Sequence, residues 1–412
     1  MVELVAEVDG GSRQWRLFHK AILQSGVAFN PWASSVESPM ESVNKLAAAL
    51  GKNISDVKEF VEYLRTLDAH TLVETEVKMH SSKDEIIFNH PFLPSIDSSA
   101  ENPFLIKSID EVAKVGIKVP CMCGYVSHEG IIIAAAMNNE IFNKIDKDPE
   151  NLLMNPRTSQ FLKQHNVTVN DVKQFYFGDK SISSDNIENI IDLYTDAYFI
   201  FGLHHFVDIQ SRVSKTPTYL YKFEYEAEKS YLKNFFGMEN IKGQLANTNN
   251  VKLIWVPSHC GIPCNERADR LAKRGAYDAG ALPVCPTPVS DGFINGLIAE
   301  ESHSRFSDMW LEAKGTCHAE ELNYIFYPMI TKLLGKPPAA FNSIEYCLIQ
   351  RFTELWTNFA KTGNPTPVAT NLIDVQWKPI DNPTDYKCLE ITDKLKMSTV
   401  KNVTRKLMEN KK

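Results

Sequence analysis

Residues that could do chemistry gather in three places along this 412-residue sequence. The first is Glu129, directly after the strand-like run "CMCGYV", and the second is His318, in the loop "GTCHAEEL". A histidine can take and return a proton near neutral pH, and a carboxylate beside it can fix its tautomer and stabilise its charged form. Taken singly, a Glu after a strand and a His in a loop are ordinary surface residues. The third place is "IWVPSHCGIPCNERADRLAKRG", residues 254–275, with His259, Cys260, Cys264, Asp269 and the basic side chains Arg267, Arg270, Lys273 and Arg274. Cys260 and Cys264 beside His259 suggest zinc, but a second ligand pair at finger spacing is missing, so no metal site is expected. The four basic residues read as a solvated helix face, and nucleic acid is not an expected partner.

The elements that must position these residues follow from periodicity. "AILQSG" reads as a short strand after the end of a helix, and an extended turn through Pro31 follows it. Helices are expected at "SVNKLAAALG" and "SDVKEFVEYLRTL", the second with Ser55 as N-cap. A strand pattern covers Val119 to Val126, where Cys121 and Cys123 share a face and read as buried free thiols. In "NIENIIDLYTDAYFIFGLHHFVDIQSRV" the apolar Ile187, Ile190, Ile191 and Tyr194 keep a helical period. "TPTYLYKFEYE" alternates Tyr219, Tyr221, Phe223 and Tyr225 and is the clearest strand. Alternating helices and buried strands predict an α/β architecture with a largely parallel sheet, whose chemistry sits at the carboxyl ends of the strands. That rule turns attention to Glu129 and His318.

Composition narrows the class. Hydrophobic residues at 43% and charged residues at 23% are ordinary for globular protein, and a formal charge of -7 gives no chain-wide attraction to nucleic acid. The opening "MVELVAEVDGGSRQW" carries Glu3, Glu7 and Asp9 and no apolar run, so it is not a signal peptide. The longest apolar run, "GIIIAAAM", falls far short of the ~20 residues a membrane helix needs. The expectation is a chain with no membrane segment, cytoplasmic as written. Sequons at Asn53, Asn166 and Asn402 matter only in a secreted form.

Four stretches in order, "LFHKAILQSGVAFNPWA", "GYVSHEG", "GTCHAEELNYIF" and "LWTNFAKTGNPTP", resemble the carboxylesterase and cholinesterase family of α/β-hydrolases, insect carboxylesterases most of all. The resemblance covers about residues 15–240 and 314–400 and implies hydrolysis of small-molecule carboxylic esters by a Ser-Glu-His triad, with no cofactor. It places Glu129 of "SHEG" at the triad acid and His318 of "GTCHAEEL" at the base, in the chain order expected for that fold. The family's serine sits in a G-x-S-x-G elbow upstream of "AILQSG". No such pentapeptide occurs in this sequence, "GGSRQ" failing at its fifth position, and the Gly-rich segment of an oxyanion hole is also absent. The expected fold is therefore α/β: an incomplete α/β-hydrolase lacking its N-terminal strands and nucleophile elbow, truncated before Leu17 and inactive on esters as written.

Residues 240–313 interrupt the family pattern between acid and histidine. Within them, about residues 244–276, a strand "VKLIWVPSH", a turn "CGIPCN" and a helix "ERADRLAKRGA" resemble the last part of the ribonuclease H domains of non-LTR retrotransposons. The resemblance matches His259 to a mobile-loop histidine and Asp269 to the last metal-binding aspartate. That chemistry needs several carboxylates around two divalent ions, and one aspartate cannot hold them. Asp196 lies too near Asp269 in sequence and fits the esterase pattern, so Asp196, His204 and His205 are expected to be structural or surface residues. The insert leaves His318 on a long tether, although closure entropy grows only ~0.6 kcal/mol per doubling of length. The expected division is an unassigned start (1–14), a first hydrolase part (15–239), the insert (240–313), a second hydrolase part (314–400) and a polar tail (401–412). The expected function is that of a chimeric carboxylesterase-family chain without activity. A non-catalytic α/β-hydrolase-like binding protein is the alternative, and an RNA–DNA hybrid ribonuclease the second.

Overall fold

Short apolar runs become the central strands here because their neighbours bury both faces. The structure, a computed structural model, describes residues 18–34, 38–101, 103–227, 315–326 and 338–409. Strands β1 (Ala21–Gln24), β2 (Cys121–Val126), β3 (Thr218–Phe223), β4 (Asp385–Ile391) and β5 (Leu395–Lys401) lie side by side in that order. β1 to β4 are parallel and β5 returns antiparallel, as the alternation of helices and strands predicts. All of β2 is buried, the signature of a strand covered on both faces.

The pleat divides the core in two. Cys121 and Cys123 face one cluster with Leu220, Ile131 and Phe206, while Met122 and Val126 face another with Tyr219, Tyr221 and Phe223. Both side chains are thus buried, on one face and in no disulfide among the described residues, as the sequence implies.

The helices form in chain order around this sheet. Between β1 and β2 run α1 (Pro39–Ala49), α2 (Val57–Thr66), α3 (Ala69–Met79), α4 (Ser82–Ile86) and α5 (Ile109–Ala113). Between β2 and β3 run α6 (Ile131–Ala134), α7 (Asn139–Lys147), α8 (Pro149–Leu152), α9 (Pro156–Gln164), α10 (Val169–Phe177), α11 (Ile187–Thr195), a π-helical turn (Asp196–Ile200) and α12 (Phe201–Val213). α13 (Ile344–Thr362) precedes β4, and α14 (Val403–Glu409) follows β5. Leu348, Phe352, Leu355, Trp356 and Phe359 recur on one side of α13 and fill the second cluster.

Three local readings change. Asp56, not Ser55, caps α2, because its carboxylate accepts the N–H groups of both Lys58 (2.6 Å) and Glu59 (3.2 Å). Phe18 to Lys20, ahead of β1, are not helical. The segment read as a polar tail starts at the last residue of β5 and runs into α14, whose Val403 and Leu407, four residues apart, are both buried in the core.

Asp196, His204 and His205 serve structure. The Tyr176 hydroxyl donates to Asp196, whose carboxyl is pushed up to about 6, chiefly by burial. His204 is buried and accepts the Val403 N–H at 3.2 Å, and burial, aided by Lys406, pushes its imidazole down to about 3. His205 packs edge-on against Phe29 and Phe161. Among the described residues no helix is long and apolar enough to cross a membrane, and no three His, Cys, Asp or Glu side chains gather to hold a metal ion.

Candidate active site

At the carboxyl end of β2 the chain turns tightly through residues 127–130. The Val126 N–H donates to Glu129 Oε1 at 2.9 Å, which folds the carboxylate back under its own strand, where Glu129 is 0% exposed. The turn is possible because residue 130 is glycine. A Cβ there would lie 2.3 Å from the Ile191 carbonyl oxygen and 2.6 Å from the Thr195 nitrogen, both backbone atoms of α11. The Gly130 N–H instead donates to Thr195 Oγ1 at 2.9 Å. Gly130→Ala should therefore push α11 off the turn and cost about 1–3 kcal/mol, read as a fall in melting temperature. An unchanged melting temperature would show that α11 yields freely.

The histidine loop is docked against this turn. His128 donates its N–H to Thr316 O at 3.1 Å, Thr316 N–H donates to Ser127 Oγ at 3.0 Å, and the Thr316 hydroxyl donates to Tyr225 O at 3.1 Å. His128 and Cys317 form a parallel bridge. Cys317 N–H donates to Glu320 Oε2 at 3.0 Å, which closes the loop on itself. The long tether expected ahead of His318 lies outside the described residues; within residues 315–326 the backbone is pinned to the ends of β2 and β3. Ala319, at a φ of 67°, makes the sharp turn just after His318.

This docking brings His318 Nδ1 to 2.6 Å from Glu129 Oε2, although 189 residues separate them. A carboxylate at that distance takes the nitrogen that carries hydrogen, so the lone pair is left on Nε2. The His318 side chain is 30% exposed while that of Glu129 is 0% exposed, so the pair is shut off at its acid end and open at its base end. Burial, the largest single influence on His318, pulls its proton affinity down. The charge of Glu129, their hydrogen bond and the charge of Glu321 together outweigh it and leave the imidazole above its ordinary value. The arrangement is an oriented base.

Further residues shape the site. The Phe199 ring, carried by the π-helical turn, lies 5.2 Å from that of His318. A π turn leaves carbonyls out of register, and here Asn30 Nδ2 donates to Tyr198 O and Phe199 O at 2.7 and 2.9 Å, with Trp32 Nε1 donating to Tyr198 O at 3.2 Å. Asn30 sits in "FNPWA" and Glu321 in "HAEEL", so both stand inside stretches already singled out. Nothing in the pattern marks them as partners of the pair. A separate cavity of about 110 Å³, lined by Phe29, Asp110, Arg157, Phe161 and His205 among others, contains neither Glu129 nor His318.

A sequence profile of the carboxylesterase family matches residues 8–259 and 290–411. The chain belongs to the carboxylesterase family. Juvenile hormone esterase of Tribolium castaneum is 30% identical over 258 residues, 59% of this chain and 42% of that protein. A carboxylic ester hydrolase of Bombus ignitus is 26% identical over 221 residues, 52% of this chain and 39% of its own length. Human bile salt-activated lipase is 21% identical over 396 residues, 94% of this chain and 40% of that protein. The chain thus spans about two fifths of the length of these curated relatives. The crystal structure of juvenile hormone esterase from Manduca sexta, with OTFP covalently attached, superposes with a TM-score of 0.64 at 18% identity, over 99% of this chain and 61% of that one. That likeness shows the α/β-hydrolase fold. In this carboxylesterase-family chain, His259 and Asp269 lie outside the described residues, as does the whole of the segment 240–313.

Proposed function

We propose that Glu129 and His318 hold the acid and base positions of a Ser-Glu-His triad for small carboxylic esters, and that the 412-residue chain does not complete that reaction by itself. The observation that carries this reading is the 2.6 Å hydrogen bond from His318 Nδ1 to a fully buried Glu129. In acyl transfer, Nε2 of such a histidine takes the proton of a serine hydroxyl and later gives it to the leaving group. The carboxylate stabilises the imidazolium in between. What is missing is the attacking oxygen, since the sequence contains no G-x-S-x-G elbow. A base without its nucleophile forms no acyl-enzyme. Mixed with excess p-nitrophenyl butyrate, the chain should release p-nitrophenol without a rapid first phase. A burst equal to the protein concentration, lost in His318→Ala, would show that it owns a working nucleophile.

Residues 240–313 are, on the same proposal, foreign to the hydrolase, with 244–276 akin to the end of a ribonuclease H. The break in the family match covers 260–289 and supports an interruption there, while 240–259 and 290–313 fall within the matched stretches. His259 and Asp269 are then remnants, because a lone aspartate cannot hold two catalytic ions. Magnesium-dependent cleavage of the RNA strand of a hybrid is not expected, and finding it, with loss in Asp269→Asn, would reverse this view.

A further inference from the structure

Beside the pair stands a second buried carboxyl, Glu321, 1% exposed, whose Oε2 has no hydrogen-bond partner among the described residues. Its Oε1 accepts from Gln24 Nε2 at 3.4 Å, the long limit for such a bond. The Tyr221 hydroxyl is likewise buried, beside Gln24. The groups facing Glu321 come from every side of the site: Gln24 on β1, Glu129 after β2, Tyr221 on β3, and Glu320 and His318 from its own loop. A carboxylate shut off from water, with one oxygen unsatisfied and a second carboxylate nearby, is an arrangement that favours the neutral acid.

We propose that Glu321 carries a proton on the acid side of neutrality and, on losing it, places a second negative charge beside His318, so that two carboxyl groups set the strength of one base. Glu321 is a positioning residue that acts through His318. The proposal deepens the esterase reading and rests on it for the role of His318. Burial first, and the charge of Glu129 second, push the Glu321 carboxyl up from 4.5 to about 7, with His318 opposing. His318 and Glu321 therefore titrate as a coupled pair. The sign for stability follows from a raised acid: the folded chain keeps a proton that the unfolded chain releases. Its contribution is full below 4.5 and is lost as pH rises through about 7. Glu321→Gln should accordingly melt higher than the unsubstituted chain at about pH 8, with the gap closing toward about pH 5.

The deciding experiment is an NMR titration of the His318 ring in the 412-residue chain and in Glu321→Gln. The unsubstituted chain should show a second inflection near 7 from the neighbouring carboxyl. The variant should lack that inflection and titrate at lower pH, because a charge that raises His318 is gone. Superimposable curves would overturn the proposal. Should Glu321→Gln not fold, infrared difference spectra decide, recorded in an Asp196→Asn background because Asp196 titrates at about 6. A protonated carboxyl band that fades from about pH 6 to about pH 8 supports the assignment, and no such band overturns it. Neither readout involves ester turnover, so a failure of the esterase reading would show in acyl-enzyme kinetics and leave this result distinct.

Discussion

In Glu129→Gln the His318 ring titrates below its ordinary 6.5, whereas in the unsubstituted chain it titrates above. The reversal follows from two opposed influences. Burial, the largest single influence, favours the neutral imidazole in both proteins; the Glu129 charge and its 2.6 Å hydrogen bond supply most of what outweighs it, and the smaller effect of the Glu321 charge remains in the variant. Glutamine is nearly the same shape and can still accept the Val126 N–H, so the turn survives while the charge does not. The stability consequence has a definite sign. With a raised folded value, the His318 contribution is present below 6.5 and lost as pH rises through the folded value; with a depressed one it is present above 6.5 and lost on acidification. The variant should therefore be less stable by about 1.5–3 kcal/mol at pH values just under 6.5, the worth of a charge-assisted hydrogen bond, and closer to the unsubstituted chain in mild alkali. Urea melts at the two pH values test this, and a constant difference across them would contradict it.

Gly315→Ala should undock the histidine loop. Gly315 has a φ of 94°, where a side chain is strained, and a Cβ there would lie 1.8 Å from His128 Nδ1. The His128 ring cannot swing aside without losing its 2.8 Å contact to Ser127 Oγ, and that same hydroxyl accepts the Thr316 N–H at 3.0 Å. Strain and crowding together come to about 2–5 kcal/mol, concentrated in one loop. Amide exchange at Thr316 and Cys317 should then quicken by two orders of magnitude or more, roughly the factor that 3 kcal/mol represents, while β2 and β3 stay protected. Equal protection in both proteins would mean that the loop is not held by this glycine.

Much of the scaffold is legible in the sequence because it rests on short-range pattern. "CMCGYV" is apolar throughout and "TYLYKF" alternates large aromatics, and both become buried central strands. The Glu129–His318 pair is legible for another reason: each stands in a short motif of one family, although burial and hydrogen bonding appear only in three dimensions. What the pattern hides is long-range. Asn30 captures the carbonyls of a π turn across 168 and 169 residues, and Gln24 reaches Glu321 across 297. Neither contact has a period or spacing that a linear reading can detect. The tail after Lys401 is misread for a simpler reason. Its apolar Val403 and Leu407 are too few for a strong amphipathic signal, yet four residues apart they suffice to pin one turn to the core.

The oriented acid–base pair is proposed to stand in a chain with no nucleophile of its own, and active-site labelling reads this out. The purified 412-residue chain is incubated with a fluorophosphonate and weighed intact by mass spectrometry. The mass should be unmodified for the unsubstituted chain and for His318→Ala alike. One adduct per chain, on a serine and lost in His318→Ala, would mean that the pair already has its nucleophile and that the inactivity proposed for this chain is wrong.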